Sequence, residues 1–202
     1  MKQFILGLDI GYSNLKIAMG FKGGHVTTTV LPVGAGPLAL MPQQLTGGEG
    51  NCIQVVIDDE KWVAGVEPDR LQGWNRELHD DYPATKPYKA LFYAALLLSE
   101  QKEIDVLVTG LPVSQFMNPE LREALKKRLE GEHQITLKRS VTVKSVVVVP
   151  QPAGAYMDIV SSTKDEGLLE VLREGKTVVI DPGFFSVDWV ALEEGEVRYH
   201  SS

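Results

Sequence analysis

Asp9, Gly11, Ser13 and Lys16 stand near the start of the chain, and Asp181, Gly183 and Ser186 near its other end, in two segments built to one plan. Each segment closes an apolar run with an aspartate, places a glycine two residues on and a hydroxyl shortly after, and then resumes an alternating run. The first reads Leu8-Asp9-Ile10-Gly11-Tyr12-Ser13, the second Ile180-Asp181-Pro182-Gly183-Phe184-Phe185-Ser186. These residue types suit a hydrated cation beside an anion. The carboxylate can hold a divalent ion through its water, glycine lets backbone N–H groups approach an anion with no Cβ between, and the hydroxyl adds a donor. Lys16 lies on the alternating run Asn14-Leu15-Lys16-Ile17-Ala18-Met19, from which its ammonium can turn back toward bound phosphate as a compact charge. One Asp-x-Gly alone is an ordinary β-turn. Two of them with the lysine make a pair of phosphate hairpins able to clasp a nucleotide triphosphate.

Positioning such hairpins needs strands, and the chain opens with them. Phe4 to Asp9, Asn14 to Gly20 and His25 to Leu31 read as strands, with Lys22-Gly23-Gly24 as the tight turn before the third. Gly34 to Gly50 is rich in Gly and Pro without a period and reads as a surface loop or lid. Cys52 to Ile57 and Lys61 to Ala64 suggest a hairpin through Asp58-Asp59. Tyr88 to Lys102 is a helix with Leu91, Ala94, Ala95 and Leu98 on one face. Ile104 to Thr109 follows as a buried strand, Pro119 to Leu129 as a helix, and Ile135 to Arg139 with Val141 to Val149 as a strand pair. Pro152 fits the first turn of the next helix, where its missing N–H is harmless. Thr177 to Ile180, Val187 to Leu192 and Glu196 to His200 restart the strand pattern of the opening. On that strand Asp188 is expected to lie too far from Asp181 to stand in for it.

Composition excludes more than it selects. A formal net charge of −7 argues against broad binding to nucleic acid, whose backbone it would repel. The basic cluster Lys126-Lys127-Arg128 falls at the end of a helix that begins with acidic residues, the arrangement the helix dipole favours, and reads as a solvated face. Cys52 is the single cysteine, so no intrachain disulfide forms, and a reducing, cytoplasmic location is expected. The apolar start before Asp9 is too short for a signal peptide, and Ala90 to Leu98 is far short of a membrane span.

The two hairpins resemble the paired phosphate motifs of the actin-like ATPase superfamily, which includes actin, the seventy-kilodalton chaperones and sugar kinases. Val147-Val148-Val149-Pro150-Gln151-Pro152-Ala153-Gly154-Ala155 looks like that family's first connecting motif. Val108-Thr109-Gly110-Leu111-Pro112-Val113-Ser114-Gln115 is similar to a strand-end segment of plasmid-segregation actins of the ParM/StbA type, and the wording around Asp181-Pro182-Gly183 and Asp188-Trp189 resembles PRTRC-type actin-like proteins. The resemblance implies an α/β, ribonuclease-H-like actin-type ATPase fold. Residues 1–175 would be its first domain, with a loop or lid insertion at about 33–80, and residues 176–202 the opening strands of a second, apparently truncated domain. The family's adenine-side Gly-rich motif and second connecting motif do not occur in these 202 residues.

The same resemblance implies roles. Asp9 and Asp181 would orient Mg2+ through its water shell, and Gly11, Tyr12, Ser13 and Asn14 would offer donors to the β-phosphate of ATP. Lys16 would neutralise developing charge, Gly183, Phe184 and Ser186 would meet the nucleotide from the second hairpin, and Gln151 would position the attacking water. Gln151 and Asp181 are thus the catalytic candidates, and a Gln polariser implies slow hydrolysis. Each has a plainer alternative: turn aspartates, an exposed strand lysine, a solvent-facing helix-start glutamine. Phe184 and Phe185 depart from the family pattern, standing where relatives often have Gly and a small hydroxyl residue. The implied function is a filament-forming ATPase of plasmid or mobile-element segregation, whose partners are further copies of itself and a DNA-bound adaptor, with no direct contact to nucleic acid or membrane. A metabolite kinase of the same superfamily and a nonenzymatic actin-like scaffold are the alternatives.

Overall fold

The computed structural model describes residues 2–42, 52–73, 81–183 and 187–201. Its opening hairpin follows from period-two patterning: β1 (Phe4–Ile10) buries Phe4, Leu6, Leu8 and Ile10, and β2 (Asn14–Phe21) returns antiparallel to it with Leu15 and Ile17 buried. β3 (Thr27–Pro32) pairs antiparallel with β2.

The expected irregular stretch does not begin at Gly34. Gly34–Pro37 forms β4, antiparallel to β6 (Glu60–Val66), with Val33 and Ala35 buried beside it. A Cβ on Gly34 would collide with the carbonyl oxygen of Val66, so the close strand approach requires glycine, and the small residues that permit it hide the strand from a reading of hydrophobic period. Leu38–Leu40 adds a 3-10 turn. Residues 43–51 and 74–80 of the expected lid lie outside the described residues. β5 (Ile53–Ile57) and β6 (Glu60–Val66) form the expected hairpin, and Asp58 and Asp59 take φ of 51° and 63°, the left-handed pair that a two-residue hairpin turn requires.

α1 (Lys86–Leu98) starts before Tyr88 and stops short of Lys102. Thr85 caps it by accepting the Tyr88 amide at 3.3 Å, and Pro87 occupies its first turn. At the other end the Ser99 hydroxyl donates to the Leu96 carbonyl at 2.7 Å and Glu100 turns left-handed at φ 57°. Tyr88 and every residue from Ala90 to Leu96 are buried, because α1 is packed against β1, β4, β5, β6 and a later strand, β9 (Gly131–Thr136).

Where one strand was expected from Ile104 to Thr109, there are β7 (Glu103–Ile104) and β8 (Val106–Leu111) in different sheets. Asp105 makes the break: its carboxylate accepts the Phe4 amide at 2.8 Å and the Lys144 ammonium at 3.0 Å, and these bonds hold its carboxyl below the usual carboxylate range. A short α2 (Val113–Met117) precedes α3 (Pro119–Leu129), β9 (Gly131–Thr136) and β10 (Arg139–Val143). The expected strand from Val141 to Val149 is also broken, at Lys144-Ser145, where the Lys144 amide donates to Ile104 and the Ser145 carbonyl accepts from Leu107. β11 (Val146–Pro150) then joins another sheet.

α4 (Gln151–Ser162) carries Pro152 in its first turn, as expected, and α5 (Glu166–Glu174) is an addition, capped by Asp165, which accepts the Leu168 amide at 3.0 Å. β12 (Lys176–Pro182), β13 (Val187–Glu193) and β14 (Glu196–Ser201) form an antiparallel sheet in that order. A five-stranded sheet has the order β11-β8-β1-β2-β3, with three-stranded sheets β7-β10-β9 and β4-β6-β5. The chain divides into two compact units, residues 1–108 with 127–146, and residues 109–126 with 147–202.

Candidate functional site

In the first unit, the β1–β2 register sets Asp9 directly opposite Lys16, and the Lys16 ammonium lies 3.0 Å from Asp9 Oδ2. Their side chains are 38% and 60% exposed, and an ion pair so exposed contributes only about 0–1 kcal/mol to stability. Stability is therefore a weak reason for this pair. Between the strands the Gly11 amide donates to the Asn14 carbonyl at 3.1 Å, which closes the turn and commits that N–H inside it. Tyr12 also has a structural part: its ring stacks on Tyr82 at 5.0 Å between centroids, and Tyr82 meets Tyr88 edge-on at 5.5 Å. This aromatic run ties the turn to the start of α1, so Tyr12 can serve an anion through its backbone while its side chain holds the loop.

Asp9 suits a water-mediated cation partner, because Mg2+ dehydrates reluctantly and is usually held by one or two carboxylates together with substrate phosphates. Among the described residues no three His, Cys, Asp or Glu side chains gather as a metal-binding group. The set present fits a cation that arrives with its anion better than one caged by protein.

In the second unit, Gln151 is the first residue of α4, after Pro150 in extended conformation. Gly110 backs it: a Cβ on Gly110 would lie 2.8 Å from Gln151 Cγ and 3.4 Å from its Cα. A larger residue at this strand end would therefore push the Gln151 side chain from its place at the helix start. Asp181 is half-buried on β12. The register places Asp188 directly opposite it, with Pro182 opposite Val187. This corrects the expectation that Asp188 lies out of reach, since the hairpin folds the spacing back on itself just as it does between Asp9 and Lys16. Asp188 is 3% exposed, and its Oδ1 accepts the Val113 amide at 3.0 Å. Gly183 follows β12 and is exposed, while Phe184, Phe185 and Ser186 lie outside the described residues.

Residues 7–154 match the N-terminal domain of actin-like proteins. The chain belongs to that family. The matched span takes in the first hairpin, Gly110 and Gln151, and ends before Asp181. Among solved structures, the chain is similar to the apo ParM protein of pSK41, with TM-score 0.72 and 19% identity over 98% of this chain and 64% of that one. An archaeal actin homolog in complex with ADP, Ta0583, gives 0.68 and 20% over 98% and 58%, and a 15-stranded ParM filament from Clostridium botulinum 0.65 and 21% over 98% and 61%. The chain thus spans about three fifths of the length of these solved members of the fold. No curated protein matches it. The actin-type, ribonuclease-H-like fold is the one expected, and no helix among the described residues is long and apolar enough to cross a membrane.

β1–β2 and β12–β13 pair as the hairpins expected from sequence, whereas Tyr82 against Tyr12, Gly110 against Gln151 and the place of Asp188 opposite Asp181 were not anticipated. For Asp188 a signal existed, because it follows Asp181 at the spacing that separates Lys16 from Asp9.

Proposed function

We propose that this protein binds ATP with magnesium through its two aspartate hairpins, hydrolyses it slowly, and assembles with copies of itself into filaments. Family membership supports the reading, and the observation that carries it is the exposed Asp9–Lys16 pair beside the Gly11–Asn14 turn. Such a pair offers an oxygen for a hydrated cation and an ammonium for phosphate, at little benefit to stability. Magnesium, when bound, would offset the negative charge of the phosphates. Asp9 and Asp181 would orient its water, Lys16 would neutralise charge, and Tyr12, Ser13, Asn14 and Gly183 would donate N–H groups. Gln151 would hold the attacking water. Residues 1–175 are read as the first domain and residues 176–202 as the opening of a second.

The ADP of the archaeal homolog and the filament of the Clostridium botulinum ParM support nucleotide binding and self-association. The resemblance of residues 108–115 to plasmid-segregation actins supports a cellular role in segregation of a plasmid or other mobile element, with a DNA-bound adaptor as cargo link. The test is light scattering and phosphate release by the full-length protein with magnesium and ATP. Assembly that follows ATP supports the proposal. Turnover requiring an added sugar or acetate would make the protein a metabolite kinase, and binding without turnover or assembly a scaffold.

A further inference from the structure

Asp188 is buried, carries a carboxylate, and is bonded to a segment far away in sequence. A buried carboxylate is costly unless it is satisfied, so its location calls for a physical reason. Its Oδ1 accepts the Val113 amide, the first N–H of α2, which has no side-chain cap of its own because Pro112 precedes it. Three residues before Val113 is Gly110, which lies against Gln151. Across the hairpin from Asp188 is Asp181. One buried hydrogen bond therefore fastens the strand end that backs Gln151 to the hairpin that carries Asp181. Val113, Val190 and Leu192 pack together around this bond, with Tyr156 of α4 and Val179 of β12 against them, so water is kept from it.

Comparison of the hairpins sharpens the point. At the same place opposite the aspartate, the first hairpin has an exposed lysine and the second a buried carboxylate turned to the backbone. The second hairpin has its anchor where the first has its cation.

We infer that Asp188 is a positioning residue, which sets Asp181 and Gln151 relative to each other by accepting the Val113 N–H and does not itself touch magnesium or phosphate. The inference rests on the proposed ATPase. A small displacement of a reacting group lowers the rate of the chemical step more than it weakens ground-state binding. In the full-length protein, Asp188→Ala should lower kcat on the order of ten- to a hundredfold with KM for ATP little changed. Asp188→Asn keeps an oxygen for Val113 and should retain most of the turnover. Val113→Pro removes the donor while leaving the carboxylate. Proline is tolerated at the first helical position, and Pro112 already has φ −48° and ψ 148°, as a residue before proline requires. It should lower kcat as Asp188→Ala does.

A loss of turnover in Asp188→Asn equal to that in Asp188→Ala would overturn the inference, because the charge itself would then be acting. Full turnover in Asp188→Ala would overturn it also. If Asp188→Ala does not fold, Val113→Pro decides by the same split between kcat and KM. Absence of ATP turnover in the unsubstituted protein would remove the proposed function and this inference together, whereas turnover insensitive to these changes would remove the inference alone.

Discussion

Gln151 and Asp181 differ in what their removal should do, because one acts on water and the other on a cation. Gln151→Ala is expected to lower kcat on the order of a hundredfold while ATP affinity stays close to that of the parent, since water positioning matters in the transition state. Single-turnover hydrolysis beside equilibrium nucleotide binding would check this, and equal losses in both would make Gln151 structural. Asp181→Ala should abolish magnesium-dependent phosphate release. Asp188 stands opposite, but with one oxygen held by Val113 it does not take over the task. Gln151 was read from the resemblance of its connecting segment, and Asp181 was legible from sequence because Asp-x-Gly at a strand end is a local pattern. The place of Asp188 could be read from the spacing it shares with Lys16, but its role could not, because that rests on a partner 75 residues away. Tyr12 was read as a donor to the β-phosphate, yet its stacking on Tyr82 arises only after α1 is docked.

Elements announced by period or turn chemistry were legible, and those shaped by close approach were not. The Asp58-Asp59 hairpin follows from local turn preference, whereas β4 exists because Gly34 and its neighbours let two backbones meet. Gly34→Ala should destabilise the protein by about 1–3 kcal/mol, since its Cβ would meet backbone that cannot yield. Gly36→Ala should cost less, because its Cβ would meet only leucine methyl groups at 3.5 Å or beyond. Chemical denaturation of both variants checks the order, and equal losses would count against the β4–β6 pairing. His133 tests the packing of α1 on β9. Its ring lies edge-on to Phe92 at 5.0 Å with Nε2 3.0 Å from the Leu129 carbonyl, and burial pushes its pKa below the ordinary 6.5, outweighing that carbonyl. The unfolded chain then binds the proton more readily than the folded one. Stability from this group is complete above about pH 6.5 and falls as pH drops below it toward the lower folded pKa. His133→Gln should flatten that part of the stability-pH curve measured by urea denaturation.

The β12-β13-β14 sheet has one dressed face and one bare face, and the difference carries a prediction for the whole molecule. Val179, Val190 and Leu192 pack with Val113 and Tyr156, whereas Val178, Ile180 and Val187 are 61%, 63% and 54% exposed. Period-two alternation in Thr177 to Leu192 made the strands legible, but which face would be covered depends on α2 and α4, brought there by long-range packing. A contiguous apolar sheet face favours association without regard to nucleotide. The 202-residue chain should therefore self-associate in a concentration-dependent way with or without ATP, and more strongly in sulfate, which strengthens burial of apolar surface. Val178→Thr with Ile180→Thr keeps β-branched residues on the strand and should suppress that association while leaving the fold intact. Filament assembly differs in its cause, because it should follow ATP. Sedimentation velocity of the chain and its double variant, each with and without magnesium and ATP, separates the two. Association of the double variant equal to that of the parent would show that the bare face is not the adhesive surface. Association of the parent chain that required ATP would place it with filament assembly instead.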